Sequence, residues 1–121
     1  MSERPANEWS VVEAATAIRS GTLRSRDLVE ACLARIEARE ATIGAWVHLD
    51  VEAARDAAMA RDREPPHGPL HGVPIAVKDI IDTADMPTEY GSPIYRGHRP
   101  AHDAACVMLA KRAGAVILGR P

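Results

Sequence analysis

The sequence predicts an α/β fold in which a helical first half leads into a strand, a long loop, a helix and a second strand. Apolar residues recur at helical spacing through residues 1–62. A stretch rich in Pro and Gly follows at 63–72, and two short branched apolar runs, 73–77 and 115–118, then flank one further helical pattern. Strands joined through a helix pair in parallel, so residues 63–121 are expected to hold a βαβ unit.

Two helices are expected in the first 44 residues. Ser10 and Glu13 have the spacing of a capping box, and Gly21 stands where the first helix should end. Ser25 is expected to cap a second helix that ends near Gly44. The predicted core faces are Val12, Ala15 and Ile18 in the first helix, and Leu28, Val29, Cys32, Leu33 and Ile36 in the second.

The remaining elements are marked by their own boundary residues. Residues 45–49 form a brief apolar stretch that could be extended, and Asp50 then caps an Ala-rich helix running to about Asp62. Asp103 is expected to cap the last helix, which runs through Ala113 and closes at Gly114. The polar segment 82–101 is long for a loop in a small domain, and such loops are usually functional.

Composition narrows the class of protein. Hydrophobic residues make up 46% and charged residues 26%, which is typical of globular domains rather than disordered chains. The net charge of -2 and the 3% aromatic content disfavour nucleic acid or a membrane surface as a direct partner. With no signal-like or membrane-spanning run, the sequence predicts a cytoplasmic protein. Cys32 and Cys106 are both expected to be buried thiols in a reducing compartment.

Lys78 is the sharpest candidate for chemistry. It follows the apolar run at 73–77 and precedes the long loop, a position where open parallel sheets bind ligands. If Val73, Ile75 and Val77 desolvated it, its amine would more readily be neutral and could act as a general base. The alternative from spacing alone is a lysine that ends a strand and extends to water.

Three aspartates recur every third residue after Lys78. Asp79, Asp82 and Asp85 could offer carboxylates to Mg²⁺ or form an acid-base pair, but solvating the loop, capping turns or holding Lys78 in place is the favoured interpretation. Strand alternation directs Asp79 and Lys78 to opposite faces.

Two pairs of histidines have a four-residue spacing that superficially resembles a metal site. The pairs are His98 with His102, and His67 with His71. Each pair encloses a proline, which forbids the helix interior that such spacing assumes. The sequence therefore predicts no metal site, and phosphate-loop, dinucleotide and nucleophile-elbow motifs do not occur in it.

Three blocks taken together resemble the amidase signature family. The first is Gly68-Pro-Leu-His-Gly-Val-Pro-Ile-Ala-Val-Lys-Asp79. The second is Pro87-Thr88 with Gly91-Ser92, and the third is Asp103-Ala104 with Val107, Leu109 and Ala113-Gly114-Ala115. The blocks occur in the family's order, and the resemblance extends over nearly the whole chain. The chain is therefore identified as the N-terminal portion of a member of that family.

The resemblance implies an α/β/α sandwich around a mixed sheet, and hydrolysis of a small carboxamide by a Ser, cis-Ser, Lys triad without cofactor or metal. Lys78 would be the triad lysine. Thr88, Gly91 and Ser92 would belong to the substrate-side loop, with Ser92 engaged in backbone hydrogen bonding rather than catalysis. Asp85 stands where the family usually has Gly, and Pro121 where it usually has Thr.

In this family both catalytic serines lie downstream of the last block. The resemblance therefore implies that residues 1–121 are the N-terminal fragment of a single amidase domain, with 1–62 as a helical lead-in and 63–121 carrying the lysine strand, loop, helix and strand. Such a piece should be catalytically silent alone. The alternatives are the A-type subunit of a tRNA-dependent glutamine amidotransferase and, from another class, a non-catalytic truncated interaction domain.

Overall fold

The computed structural model describes residues 3–121, which fold as a mixed α/β unit. In chain order the elements are α1 (Val11–Ser20), α2 (Ser25–Ile43), β1 (His48–Leu49), α3 (Val51–Arg63), β2 (Pro74–Ala76), α4 (Ala105–Arg112) and β3 (Val116–Arg120). Short 3₁₀ helices occupy Ala6–Glu8 and Pro93–Tyr95. The predicted fold class is confirmed.

The sheet has the strand order β1-β3-β2 and is mixed. Strands β2 and β3 are parallel, with Ile75 opposite Ile117, as the βαβ pattern predicts. Strand β1 pairs antiparallel with β3 and places His48 opposite Arg120. The stretch at 45–49 thus supplies a third strand beside the two that the branched apolar runs indicate.

The core consists of two clusters that share helix α2. One cluster joins α2 to α3 and β3, and its buried members are Val29, Leu33, Ala54, Ala58, Val116 and Leu118. The other joins α2 to α1 and the start of β2, and its buried members are Ala14, Ile18, Leu28 and Val73. The small alanines of α3 let that helix lie close to α2, as an Ala-rich face predicts.

Helix α1 begins and ends as predicted but presents a different face. Ser10 Oγ accepts from the Glu13 N–H at 3.1 Å, and the Glu13 carboxylate accepts from the Ser10 N–H at 2.7 Å. Gly21 follows with a left-handed φ of 81°. The buried residues are Ala14 and Ile18, whereas Val12 is 74% exposed. The predicted stripe is wrong at Val12, because α1 packs through the edge that carries residues 14 and 18.

Two of the four predicted N-terminal helix caps differ in the structure. Asp50 caps α3 by accepting from the Ala53 N–H, as predicted. Ser25 instead lies inside α2, where its hydroxyl donates to the Gly72 carbonyl at 2.6 Å. Asp103 does not cap α4, because its carboxylate accepts from the Ala84 N–H at 2.8 Å and from the Lys111 ammonium. Both side chains have partners distant in sequence, which local patterns do not reveal.

The two cysteines lie in different surroundings. Cys32 packs against both core clusters, and burial raises the pKa of its thiol. Cys106 is exposed on α4, so the expectation of a buried thiol is wrong there. No helix within residues 3–121 combines the length and the apolar character needed to cross a membrane.

Candidate active site

Lys78 lies just past the end of β2, on a segment that continues alongside β3. The Val77 N–H donates to the Gly119 carbonyl at 3.1 Å, and the Asp79 N–H donates to the Pro121 carbonyl at 3.0 Å. Val77 and Asp79 are buried and Lys78 between them is exposed, which confirms the predicted alternation. The main chain of the lysine is therefore fixed on both sides while its amine faces outward.

The side chains that would have to desolvate Lys78 lie on the opposite face. Val73 and Val77 are buried, at 3% and 6% exposure. On the face of Lys78, the nearby Ala76 is exposed. These residues do not desolvate Lys78, because alternate residues of an extended chain point to opposite sides, and the exposed side chain fits the alternative of a lysine that extends to water. Among residues 3–121 the ammonium has no hydrogen bond or ion pair.

Arg120 is the residue that the sequence interpretation missed. Its side chain is completely buried, and its Nε lies 3.2 Å from Asp79 Oδ1. Its Nη1 donates to Thr83 Oγ1 at 2.7 Å, and its Nη2 donates to the carbonyls of Lys78 at 3.2 Å and Ile81 at 2.6 Å. One guanidinium thus holds the carbonyl of the lysine and the turn that follows it. A buried arginine needs such partners, since an unpaired buried charge is strongly unfavourable.

Asp79 ties the long loop to the same point. Its Oδ1 also accepts from the Glu89 N–H at 3.0 Å, and its carbonyl accepts from the Tyr90 N–H at 2.9 Å. The Tyr90 hydroxyl donates to Asp82, and this hydrogen bond raises the pKa of the phenol. Asp79 and Asp82 therefore shape the loop, which agrees with the favoured interpretation of the aspartates.

The predicted loop residues have separate places in the structure. Thr88 is fully buried, and its N–H donates to the His98 carbonyl at 2.8 Å. Gly91 is exposed with a left-handed φ of 70°. Ser92 Oγ accepts from the Ile94 N–H at 3.3 Å, a backbone contact of the expected kind. Lys78 makes no hydrogen bond to any of the three, so their predicted role beside the substrate stays a prediction.

The second lysine is engaged in an ion-pair network. Lys111 Nζ lies 2.9 Å from Asp103 Oδ2 and 3.1 Å from Asp85 Oδ2. Burial by itself would lower the pKa of Lys111, but its hydrogen bonds to the two carboxylates outweigh burial and raise that pKa. Asp85 therefore joins the loop to helix α4.

Two histidines that the sequence did not predict as metal ligands lie close together in the structure. His67 and His71 have ring centroids 4.8 Å apart, in the turn before β2. Together with Glu64, each offers one ligand atom, and these atoms lie within 4.8 Å of one another. The argument that the proline between them rules out a metal site assumed a helix. It does not apply here, because a turn brings these side chains together.

The sequence is similar to that of several amidases and amidotransferase subunits. The family model described as Amidase matches residues 27–121. The A-type subunit of a glutamyl-tRNA(Gln) amidotransferase from Chloroflexus aurantiacus is 44% identical over 115 residues, covering 92% of this chain and 24% of that protein. A putative amidase of Mycobacterium bovis is 39% identical over 124 residues, covering 99% of this chain and 26% of the relative. The chain thus spans about a quarter of the length of the relatives it matches.

Solved structures agree with this grouping. The native peptide amidase of Stenotrophomonas maltophilia superposes with a TM-score of 0.87 at 38% identity, over 96% of this chain and 25% of that one. Fatty acid amide hydrolase superposes with a TM-score of 0.89 at 24% identity, over 99% of this chain and 22% of the other, which shows the shared fold alone. Because the family model covers most of the sequence and the fold agrees across it, the chain belongs to the amidase family.

Proposed function

We propose that this chain supplies Lys78 as the proton-transferring residue of an amidase that hydrolyses a carboxamide through a Ser, cis-Ser, Lys triad. The observation that carries the proposal is the exposed amine of Lys78 on a main chain fixed by β3 and by Arg120. A general base must be held at a defined point while its reacting atom stays accessible. Here the main chain of Lys78 is held in place, and its amine is accessible.

In the proposed reaction, neutral Lys78 accepts a proton from a bridging serine, which accepts one from a nucleophilic serine. The nucleophile's oxygen bonds to the amide carbonyl carbon, and the C–N bond then breaks as the leaving nitrogen takes the proton that Lys78 had accepted, returned through the bridging serine. Water attacks the resulting acyl-enzyme ester, releasing the acid and restoring the serine. Backbone N–H groups of the serine-bearing loop would stabilise the oxyanion.

The serines would come from a segment that follows this chain in the complete domain, as the family resemblance implies. That segment would cover the face carrying Ala76 and Lys78, which is exposed here. We further propose that residues 1–121 form the N-terminal part of this single domain.

A chimera tests the lysine directly. Residues 1–121 replace the matching quarter of the Stenotrophomonas maltophilia peptide amidase, with which they share 38% identity and a TM-score of 0.87. We expect the chimera to hydrolyse peptide amides, and Lys78→Ala to lower kcat by about 10²- to 10⁴-fold. Lys111→Ala is the matched control, since Lys111 is the other lysine of the chain and is held in ion pairs.

The outcomes separate the proposal from its rivals. An active chimera that loses little activity with Lys78→Ala would contradict the role of Lys78. The unfused chain should be silent toward the same amides, and turnover by it that Lys78→Ala abolishes would contradict dependence on a following segment. A structural domain without catalytic role would give a chimera whose activity is equally insensitive to both lysine substitutions.

A second candidate is an amidotransferase A-type subunit, which releases ammonia from glutamine for a tRNA-linked partner. The 44% identity to the A-type subunit of a glutamyl-tRNA(Gln) amidotransferase favours it. Both candidates use the lysine in the same way and differ in acyl substrate and partner. Co-purification of the complete protein with other subunits, and ammonia release from glutamine in that complex, would favour the amidotransferase.

A further inference from the structure

The cluster of Glu64, His67 and His71 lies in the turn that precedes β2, whereas Lys78 follows β2 at its other end. The Arg61 guanidinium reaches into this cluster. Its Nη1 lies 3.0 Å from Glu64 Oε2 and 3.0 Å from His67 Nε2. The cluster therefore already surrounds a positive charge with an acidic and an imidazole donor.

His71 carries the clearest signal. The residue is 5% exposed, and its Nε2 lies 2.9 Å from the Arg61 carbonyl oxygen. A carbonyl can only accept, so Nε2 carries the hydrogen, and in the neutral ring the lone pair then lies on Nδ1. Within residues 3–121 this buried Nδ1 has no hydrogen-bond partner. Metal-binding histidines commonly donate their other N–H to a backbone carbonyl in this way, which orients the ring.

The backbone of the turn is held firmly against the end of α4. The Leu70 N–H donates to the Ala113 carbonyl and the Gly72 N–H to the Gly114 carbonyl, both at 2.9 Å. Gly114 approaches so closely that a Cβ there would lie 2.5 Å from His71 Cα. His71 is thus presented from a fixed backbone, while the exposed side chains of Glu64 and His67 can adjust.

Two imidazoles and one carboxylate are a donor set that zinc accepts, with a fourth position left for water. Bonds of about 2.0–2.2 Å in a tetrahedral site put the donor atoms roughly 3.4 Å apart. One nitrogen of each histidine and one carboxylate oxygen of Glu64 lie within 4.8 Å of one another, so the three side chains must close in by up to about 1.4 Å. Arg61 must also leave, which gives up its two Nη1 contacts with Glu64 and His67 to the metal and breaks one long contact, 3.4 Å from Nη2 to the Lys111 carbonyl.

We propose that Glu64, His67 and His71 bind one zinc ion, which displaces the Arg61 guanidinium toward solvent. His71 binds through Nδ1 and keeps its Nε2–H on the Arg61 carbonyl. The site is independent of the proposed role of Lys78, since none of its residues contacts that lysine.

The test titrates the 121-residue chain with Zn²⁺ alone by calorimetry and with Co²⁺ by visible absorption. We expect one ion to bind per chain, and we expect the visible absorption of bound Co²⁺ to be that of a four-coordinate ion. Glu64→Gln and His67→Gln should each weaken binding at least about tenfold, as loss of even an outer partner does. His71→Gln should do the same, with circular dichroism reporting whether the fold survives substitution of this buried residue.

Two further variants sharpen the result. His102→Gln removes an exposed histidine outside the cluster and should leave the affinity unchanged. Arg61→Gln removes the competing cation and should strengthen binding. The proposal is overturned if the folded chain binds no zinc, if Glu64→Gln and His67→Gln both keep the original affinity, or if His102→Gln weakens binding as much as they do. Weaker binding by Arg61→Gln would overturn the exchange of guanidinium for metal.

Discussion

Arg120 and Asp79 form a buried ion pair across 41 positions of sequence, with 3.2 Å between Nε and Oδ1. The pair joins the end of β3 to the residue after Lys78. The same guanidinium also donates a hydrogen bond to the Lys78 carbonyl. The placement of the candidate catalytic lysine therefore depends on a side chain near the carboxyl end of the chain.

Arg120→Met should destabilise the chain strongly. The substitution leaves Asp79 buried without its ionic partner, and breaking a buried pair from one side typically costs about 3–5 kcal/mol. The free energy of unfolding, measured by urea titration, is expected to fall by that amount, or the chain to be unfolded without urea. Arg112→Met is the control, because Arg112 is exposed. Equal stability of the Arg120→Met and Arg112→Met variants would contradict this account of the pair.

Asp62 closes the amino end of α2 from a different helix. Its two carboxylate oxygens accept from the Ser25 N–H at 2.7 Å and the Arg26 N–H at 3.0 Å. Asp62→Ala should lower the free energy of unfolding by about 0.5–2 kcal/mol, as loss of an N-terminal cap does. Asp56→Ala removes an exposed aspartate of the same helix and should change stability far less. A similar loss in both variants would contradict the capping role.

Position 114 requires glycine for two reasons, its positive φ and the close approach of a neighbouring segment. Its φ is +97°, and a Cβ would lie 2.5 Å from His71 Cα. Gly91 also has positive φ, +70°, but no atom lies within 4 Å of the position that a Cβ would take there. Each Gly→Ala change should cost about 1–2 kcal/mol for the left-handed backbone. Thermal denaturation should show a clearly larger loss for Gly114→Ala, and equal losses would show that the contact has no effect.

Stability should fall in acid partly through Asp103. Burial would raise the pKa of this carboxyl, but the Ala84 N–H and the Lys111 ammonium outweigh burial and hold the pKa below its usual value. Its contribution is therefore complete above the unfolded-state pKa of about 3.9 and is lost as pH falls through the lower folded value. Urea titrations from about pH 6 to about pH 2 should show a shallower decline for Asp103→Asn than for the original chain. Parallel declines would contradict this contribution.

Local signals allowed much of the fold to be predicted. The capping box of Ser10 and Glu13, the cap at Asp50 and the end of α1 at Gly21 all depend on neighbours within a few residues. The caps expected at Ser25 and Asp103 failed because these side chains bind Gly72 and Ala84, which the tertiary fold brings close.

The candidate site was predicted only in part, for the same reason. The position of Lys78 and its alternation with Asp79 follow from strand geometry. The burial of Arg120 does not, since an arginine side chain is ordinarily solvated. A usable signal was its place two residues after the apolar run 115–118, in the same buried strand β3. The approach of His67 to His71 required knowledge of the turn between them.

Helix α2 divides its side chains between two cores, with Leu28 in one and the adjacent Val29 in the other. Inserting or deleting one residue rotates every later position of a helix by about 100°. Such a change near the start of α2 would misdirect residues of both clusters at once. We expect homologous chains to vary in length within the segment 82–101 while the spacing from Leu28 to Leu33 stays constant, because only the loop can absorb an added residue without turning a packed face.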